Sequence, residues 1–202
     1  MNPFYEKLFA LQTAYNAHTN ITRISSREDF YVKHIEDSLA LLPFLETDSG
    51  AGAGAKFCLF DLGTGAGYPG LPLAIERPGL RVTLNDATLK KIKYVQSVLD
   101  ALPLPNTEAV WARAEKLGQQ REYRGRYDFV AARAVAEIKE LLQLSAPFLR
   151  LGGRVLLMKA KNVDAEISAA KRTAARNELS LLDVVKYKLA NMDRAIVVYT
   201  KQ

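Results

Sequence analysis

The sequence holds one cysteine, Cys58, one tryptophan, Trp111, and two histidines in 202 residues. A lone cysteine excludes an internal disulfide and a cysteine-rich zinc site, and no metal centre is expected. No apolar run approaches the roughly 20 residues that a membrane-spanning helix needs. The opening Met1-Asn2-Pro3-Phe4-Tyr5-Glu6 lacks the basic-then-apolar order of a signal peptide. These absences predict a cytoplasmic chain with no membrane partner.

What is present is an ordinary globular composition, 49% hydrophobic and 25% charged. The length suits one α/β domain. The net charge of +6 is uneven: −3 over residues 1–50, +4 over 51–153 and +5 over 154–202. A basic half fits a polyanionic partner such as nucleic acid, and equally fits a charge that only keeps the chain in solution.

Asn2-Pro3 reads as an N-cap with a first-turn proline, and Phe4, Leu8, Leu11 and Tyr15 recur at helical spacing, so residues 3–17 are expected to be a helix. Ser26 with Asp29 resembles a capping box that opens a second helix running toward Leu45. The Gly/Ala stretch 49–55 reads as a linker between an N-terminal helical cap, 1–49, and a main body, 50–202. In the body, strands are expected at 57–62, 81–84, 108–111, 127–132 and 154–158. Helices are expected at 69–76, 89–102, 138–149 and 164–178, and a closing pair of strands at 181–187 and 195–200 with a turn near Asn191. Strands separated by helices predict a Rossmann-like, seven-stranded, mostly parallel sheet with one antiparallel strand at its end.

The segment Asp61-Leu62-Gly63-Thr64-Gly65-Ala66-Gly67-Tyr68-Pro69-Gly70 follows a strand and precedes a helix, where a doubly wound sheet binds its cofactor. Gly63, Gly65 and Gly67 let the backbone turn and approach a ligand; the bare alternative is a tight turn. A pyrophosphate would want an open helix N-terminus. S-adenosylmethionine carries no phosphate, and its ammonium suits a carboxylate at the strand end, where Asp61 stands. Asp61 can equally cap the loop. Asp86 ends the next strand, where a carboxylate accepts ribose hydroxyls, and Ala114-Glu115 follows the third strand where an adenine edge would lie. The set favours S-adenosylmethionine over a dinucleotide, and hence a class I methyltransferase.

Further absences narrow the substrate. The segment 127–134 lacks the Asn/Asp-Pro-Pro-aromatic loop typical of enzymes that methylate exocyclic amines. Cys58 lies inside the first strand, so it is read as core and not as a cytosine-C5 nucleophile. No His or Lys tetrad stands out as a base for a hydroxyl. Guanine N7, with a free in-plane lone pair, needs no base, only alignment.

These residues match a family. Asn16 with Asn20-Ile21-Thr22, the helix His34-Ile35-Glu36-Asp37-Ser38-Leu39, the glycine loop with its Pro-Gly tail, and Ala132-Arg133-Ala134 resemble the bacterial small-subunit ribosomal RNA guanine-N7 methyltransferases, the glucose-inhibited division protein B family, from about residue 10 onward. The resemblance implies that Gly63, Tyr68, Asp86, Ala114 and Glu115 line the cofactor with Arg133 beside it. It also implies that the target is a guanine of the 530 loop of 16S ribosomal RNA. The expected partner is that RNA, in the 30S subunit or a precursor particle, with no DNA and with the chain acting as a monomer. Where the family has Lys-Gly after the fifth strand, this chain has Lys159-Ala160.

Other positions carry paired readings. His34 and Asp37 share a helix face that covers the cofactor mouth or packs on the core. Lys90, Lys91 and Lys93 touch RNA phosphate or form a solvated face. Arg113, Lys116, Arg121, Arg124 and Arg126, interleaved with Tyr123 and Tyr127, form a basic-aromatic RNA patch. Lys159 is placed with the substrate, and Trp111 is read as core in preference to a base platform. Arg133 either orients the guanine through its planar fork of donors, or pairs with Asp61 or Asp86 and shapes the pocket. A methyltransferase for a protein or small molecule, and a non-catalytic RNA- or nucleotide-binding module, are the competing functions.

Overall fold

In the computed structural model residues 2–45, 57–160 and 162–202 are described; the expected linker, 49–55, lies outside them. Helix α1, Pro3–Asn16, is started by the Asn2 side chain, which accepts the Phe4 N–H at 3.0 Å, and it buries Tyr5, Leu8 and Gln12. Ser26 caps α2, Arg27–Phe30, by accepting the Asp29 N–H. The second helix is not uniform, as the sequence reading had it. α2 passes into a π turn, Tyr31–Glu36, and then into α3, Asp37–Leu39. Single π turns recur at functional positions, and this one carries His34.

Five parallel strands follow: β1, Cys58–Leu62; β2, Arg81–Asp86; β3, Thr107–Trp111; β4, Tyr127–Arg133; and β5, Leu149–Ala160. Between them run α4, Gly70–Glu76; α5, Leu89–Ala101; α6, Ala114–Leu117; and α7, Ile138–Ser145. Then come α8, Asp164–Arg176, and the hairpin of β6, Leu179–Leu189, and β7, Met192–Lys201. The sheet order is β3-β2-β1-β4-β5-β7-β6. β7 is antiparallel to both β5 and β6. The one antiparallel strand therefore sits inside the sheet, between β5 and β6, and not at its end.

Two other expectations are corrected. α7 stops at Ser145, and Leu149 already belongs to β5. Gly152, at φ +74°, accommodates an irregularity within that strand instead of ending the helix. Four-residue α6 carried no local periodicity and was missed.

Strand residues alternate between two apolar layers, as a period of two requires. Leu59, Leu84, Phe129, Leu156 and Ile196 face one side, where they meet Leu8, Phe30, Ile35, Leu41 and Tyr94. Phe60, Val130, Leu157 and Val197 face the other, against Leu117, Leu141, Leu142 and Ala170. The N-terminal helices thus share a core with one face of the sheet. Among the described residues, no helix is long and apolar enough to cross a membrane.

Candidate functional site

The carboxyl ends of β1, β2 and β3 open onto a cavity of about 290 Å³. Of the positions singled out by sequence, Gly63, Asp86, Ala114 and Glu115 line it, and Lys91 joins them. The glycine loop is tied to β2 at two points: Thr64 N–H donates to the Asn85 carbonyl at 2.8 Å, and Gly65 N–H to Asp86 Oδ2 at 3.1 Å. A Cβ on Gly65 would meet nothing closer than the Gly63 carbonyl at 4.0 Å, so the space before this glycine is open. At Gly67 an added Cβ would lie 2.2 Å from Leu71 Cδ1; this glycine serves packing and not the approach of a ligand.

Asp86 accepts from Gly65, from the Thr88 N–H at 2.8 Å, and from Lys91 Nζ at 3.3 Å. A carboxylate has about four acceptor positions, so one stays open to a ribose hydroxyl, and the long contact from Lys91 is the one a second hydroxyl would displace. Lys91 belongs to this cleft wall. Lys90 reaches back to the Asn20 carbonyl at 3.4 Å.

Asp61 does not line the cavity. Its Oδ2 accepts Thr64 Oγ1–H at 2.6 Å and Gly70 N–H at 2.8 Å, which makes it the cap of the loop. Its Oδ1 is buried without a partner. Burial pushes the carboxyl up to about 6, with the two hydrogen bonds opposing that shift.

Tyr68 is likewise not a cleft wall. It is buried, its hydroxyl donates to Gln12 Oε1 at 2.9 Å, and its ring stacks on His34 with centroids 4.0 Å apart. The Arg133 guanidinium lies over the same ring, 5.6 Å from its centroid.

Arg133, at the end of β4, is bound from three directions. Nη1 donates to the Lys33 carbonyl at 2.6 Å and to Asp37 Oδ2 at 3.0 Å, and Nη2 meets His34 Nδ1 at 3.1 Å. The reading in which Arg133 pairs with a carboxylate is the arrangement present, and the partner is Asp37, not Asp61 or Asp86. An arginine offers no acceptor, so His34 Nδ1 accepts and Nε2–H is left to donate to Thr22 Oγ1, 3.3 Å away. Burial, then the Arg133 charge, holds the imidazole down to about 3, and it stays neutral. Asp37, fully buried, also takes Arg194 Nη2 at 2.7 Å and the Tyr187 hydroxyl at 2.8 Å. His34 and Asp37 do share a face; it is clamped to the ends of β4, β6 and β7. Sequence reasoning missed Arg194 and Tyr187. The one signal for Arg194 was a cation at the head of the apolar run 195–199.

Lys159, placed with the substrate by sequence, is a brace. Its ammonium donates to the Ala136 carbonyl at 2.9 Å and pairs with Glu166 at 2.7 Å, and Glu166 also accepts the Ile138 N–H that starts α7. Tyr127 is core: 6% exposed at the start of β4, packed on Phe60 and Phe148, far along the strand from the carboxyl edge. Arg124 is exposed and donates to the Gly118 carbonyl at 3.1 Å. Trp111, read as core, is 57% exposed. Cys58 is half-buried at the opening of β1, the end of that strand remote from the cleft.

A cleft over the carboxyl ends of a 3-2-1-4-5-7-6 sheet, with a carboxylate at the end of β2 and an open glycine loop after β1, defines a class I S-adenosylmethionine-dependent methyltransferase. Solved structures agree on the fold. A 16S rRNA (adenine(1408)-N(1))-methyltransferase from Catenulisporales acidiphilia with its cosubstrate matches at TM-score 0.58 and 16% identity, covering 73% of this chain and 86% of that one. M. jannaschii TYW2 in complex with AdoMet matches at 0.58 and 20%, covering 73% and 69%. The family is narrower. Residues 2–197 match the family model described as rRNA small subunit methyltransferase G, and the chain belongs to that family. Ribosomal RNA small subunit methyltransferase G of Carboxydothermus hydrogenoformans is 38% identical over 200 residues, 98% of this chain and 82% of the relative. That of Leuconostoc mesenteroides is 35% identical over 193 residues, 96% and 79%.

Proposed function

We propose that this protein methylates N7 of a guanine in the 530 loop of 16S ribosomal RNA, in the 30S subunit or a precursor of it, and that it does so as a cytoplasmic monomer. Family membership supports the RNA substrate, and the observation that carries the chemistry is the cleft, which Gly63, Asp86 and Glu115 line together, next to a Gly65 with open space before it. Bound there, S-adenosylmethionine supplies a methyl group on an electrophilic sulfonium. Asp86 would hold the ribose hydroxyls, Ala114 and Glu115 the adenine edge, and Gly63 and Gly65 the backbone surface beneath.

Among the described residues of the site, no imidazole is free to act as a base. His34 is neutral, buried and bonded through both ring nitrogens. A target that must lose a proton would find no acceptor in it, whereas guanine N7 presents a lone pair and needs only alignment. Arg133 contributes to that alignment as a positioning residue, by fixing the cap against the end of β4.

The test is methyl transfer from radiolabelled cofactor to 30S subunits and to free 16S RNA, followed by mass mapping of the modified nucleotides. A single 7-methylguanine in the 530 loop is expected. Label in protein, in small molecules or on another base atom overturns the reading.

A further inference from the structure

The one tryptophan of the chain stands outside both apolar layers. Trp111 ends β3, the outermost strand of the sheet on the cofactor side. More than half of its surface is in water, and large exposed aromatics concentrate at contact surfaces. The ring is nevertheless fixed. Its Nε1–H donates to the Ala87 carbonyl at 3.1 Å, and Ala87 lines the cofactor cleft. Across the ladder Trp111 is paired with Asp86. The indole is thus held at the rim of the cleft by its edge. Among the described residues, no aromatic ring or guanidinium stacks on either of its faces.

The charge beside it has one sign. Arg113 lines the same cleft, and Arg113 and Lys116 are exposed with no carboxylate at ion-pair distance among the described residues. A flat apolar face next to unpaired cations is the combination that holds single-stranded nucleic acid: bases stack, phosphates meet the cations.

We propose that Trp111 is a stacking platform for an unpaired base of the RNA substrate near the target nucleotide, with Arg113 and Lys116 meeting the flanking phosphates. The proposal rests on the reading of this chain as a ribosomal RNA methyltransferase. A ring that only buttressed Ala87 would need its N–H and one edge; it would not need to leave more than half of its surface in water.

Because Trp111 is the single tryptophan, emission excited at wavelengths that tyrosine does not absorb reports this ring alone. Titration of the full chain with single-stranded poly(U) at low salt is expected to quench that emission, and added salt to restore it. In methyl transfer, Trp111→Leu is expected to raise the KM for 30S subunits or 16S RNA by roughly 10-fold, within the range of one lost stacking contact. Its kcat, its cofactor Kd and its melting temperature should stay close to those of the parent. Trp111→Phe, which keeps a stacking face and loses the N–H, is expected to recover most of the RNA affinity. Emission that RNA leaves unmoved overturns the proposal. So does a Trp111→Leu protein with a raised cofactor Kd and an unchanged RNA KM, the pattern of a buttress. If the parent protein methylates no ribosomal RNA, the functional reading falls, and the poly(U) titration still decides whether the ring stacks on RNA.

Discussion

At the ends of β2 and β3 the carboxylates Asp86 and Glu115 border a cleft; at the ends of β4 and β7 the carboxylate Asp37 is enclosed by Arg133, Arg194 and Tyr187. Both regions lie on the carboxyl edge of one sheet, and they use charge in opposite ways. The cleft leaves acceptor capacity unspent, as a ligand requires. The cap side spends it all, so that two helices from the start of the chain are held over the end of β4. The difference separates residues left open to a ligand from residues that hold one another.

The sharpest way to break this contrast is Asp37→Ala. It leaves two half-buried arginines without their fully buried anion, and removal of one partner of a buried pair costs about 3–5 kcal/mol, toward the lower end where the cations keep some water. Urea unfolding should show that loss, with methyl transfer falling in parallel. A variant of unchanged stability would mean that the cap is not locked by charge. Next is Gly65→Asp. A side chain and a negative charge would occupy the open space before the loop, and the φ of +61° adds strain of about 1–3 kcal/mol. Calorimetry should show cofactor affinity weakened by ~100-fold or more, on the order of 2.7 kcal/mol, in a protein that still folds. Unchanged affinity would move the cofactor elsewhere.

The pH dependence sharpens the comparison, because the two buried groups pull in opposite directions. His34 is held near 3 against an ordinary 6.5, so the unfolded chain binds a proton that the folded one refuses. Its contribution is complete above about pH 6.5 and is lost as pH falls through that window. Asp61 is raised from 3.8 to about 6, so the folded chain holds its proton more tightly. Its contribution is complete below pH 3.8 and is lost as pH rises through about 6. Melting temperature measured from pH 4 to 6.5 should fall less on acidification in His34→Gln, and fall more in Asp61→Asn, than in the parent. Parallel curves for all three proteins would remove both assignments.

The smallest effect belongs to Lys159→Met. It removes a brace between the loop after β4 and α8, for about 1 kcal/mol of stability, with no change in the salt dependence of RNA binding. A shallower salt slope would return Lys159 to the RNA.

How much was legible depended on distance along the chain. The Asn2 and Ser26 caps and the strands at 57–62 and 127–132 are local, and sequence alone placed them. Gly63, Asp86, Ala114 and Glu115 were legible because a strand end and the loop after it share one address. Tyr68 was not: the family resemblance pointed it at a ligand, and a stack on His34, 34 residues earlier in the chain, turned it into a pillar. The partner of Arg133 lies 96 residues away. Trp111 looked like core because apolar residues in strands usually are; its exposure follows from β3 being outermost, and strand order is not written in any local pattern.

The position of β7 also sets an order in time. β6 is made first, yet in the sheet it touches only β7. Asp37, from the opening quarter of the chain, takes two of its hydrogen bonds from Arg194, 157 residues downstream. On a ribosome the cleft side has all its lining once α7 has been made. The cap side must wait for Met192–Lys201, so a nascent chain could bind cofactor before it owns the surface that closes over β4.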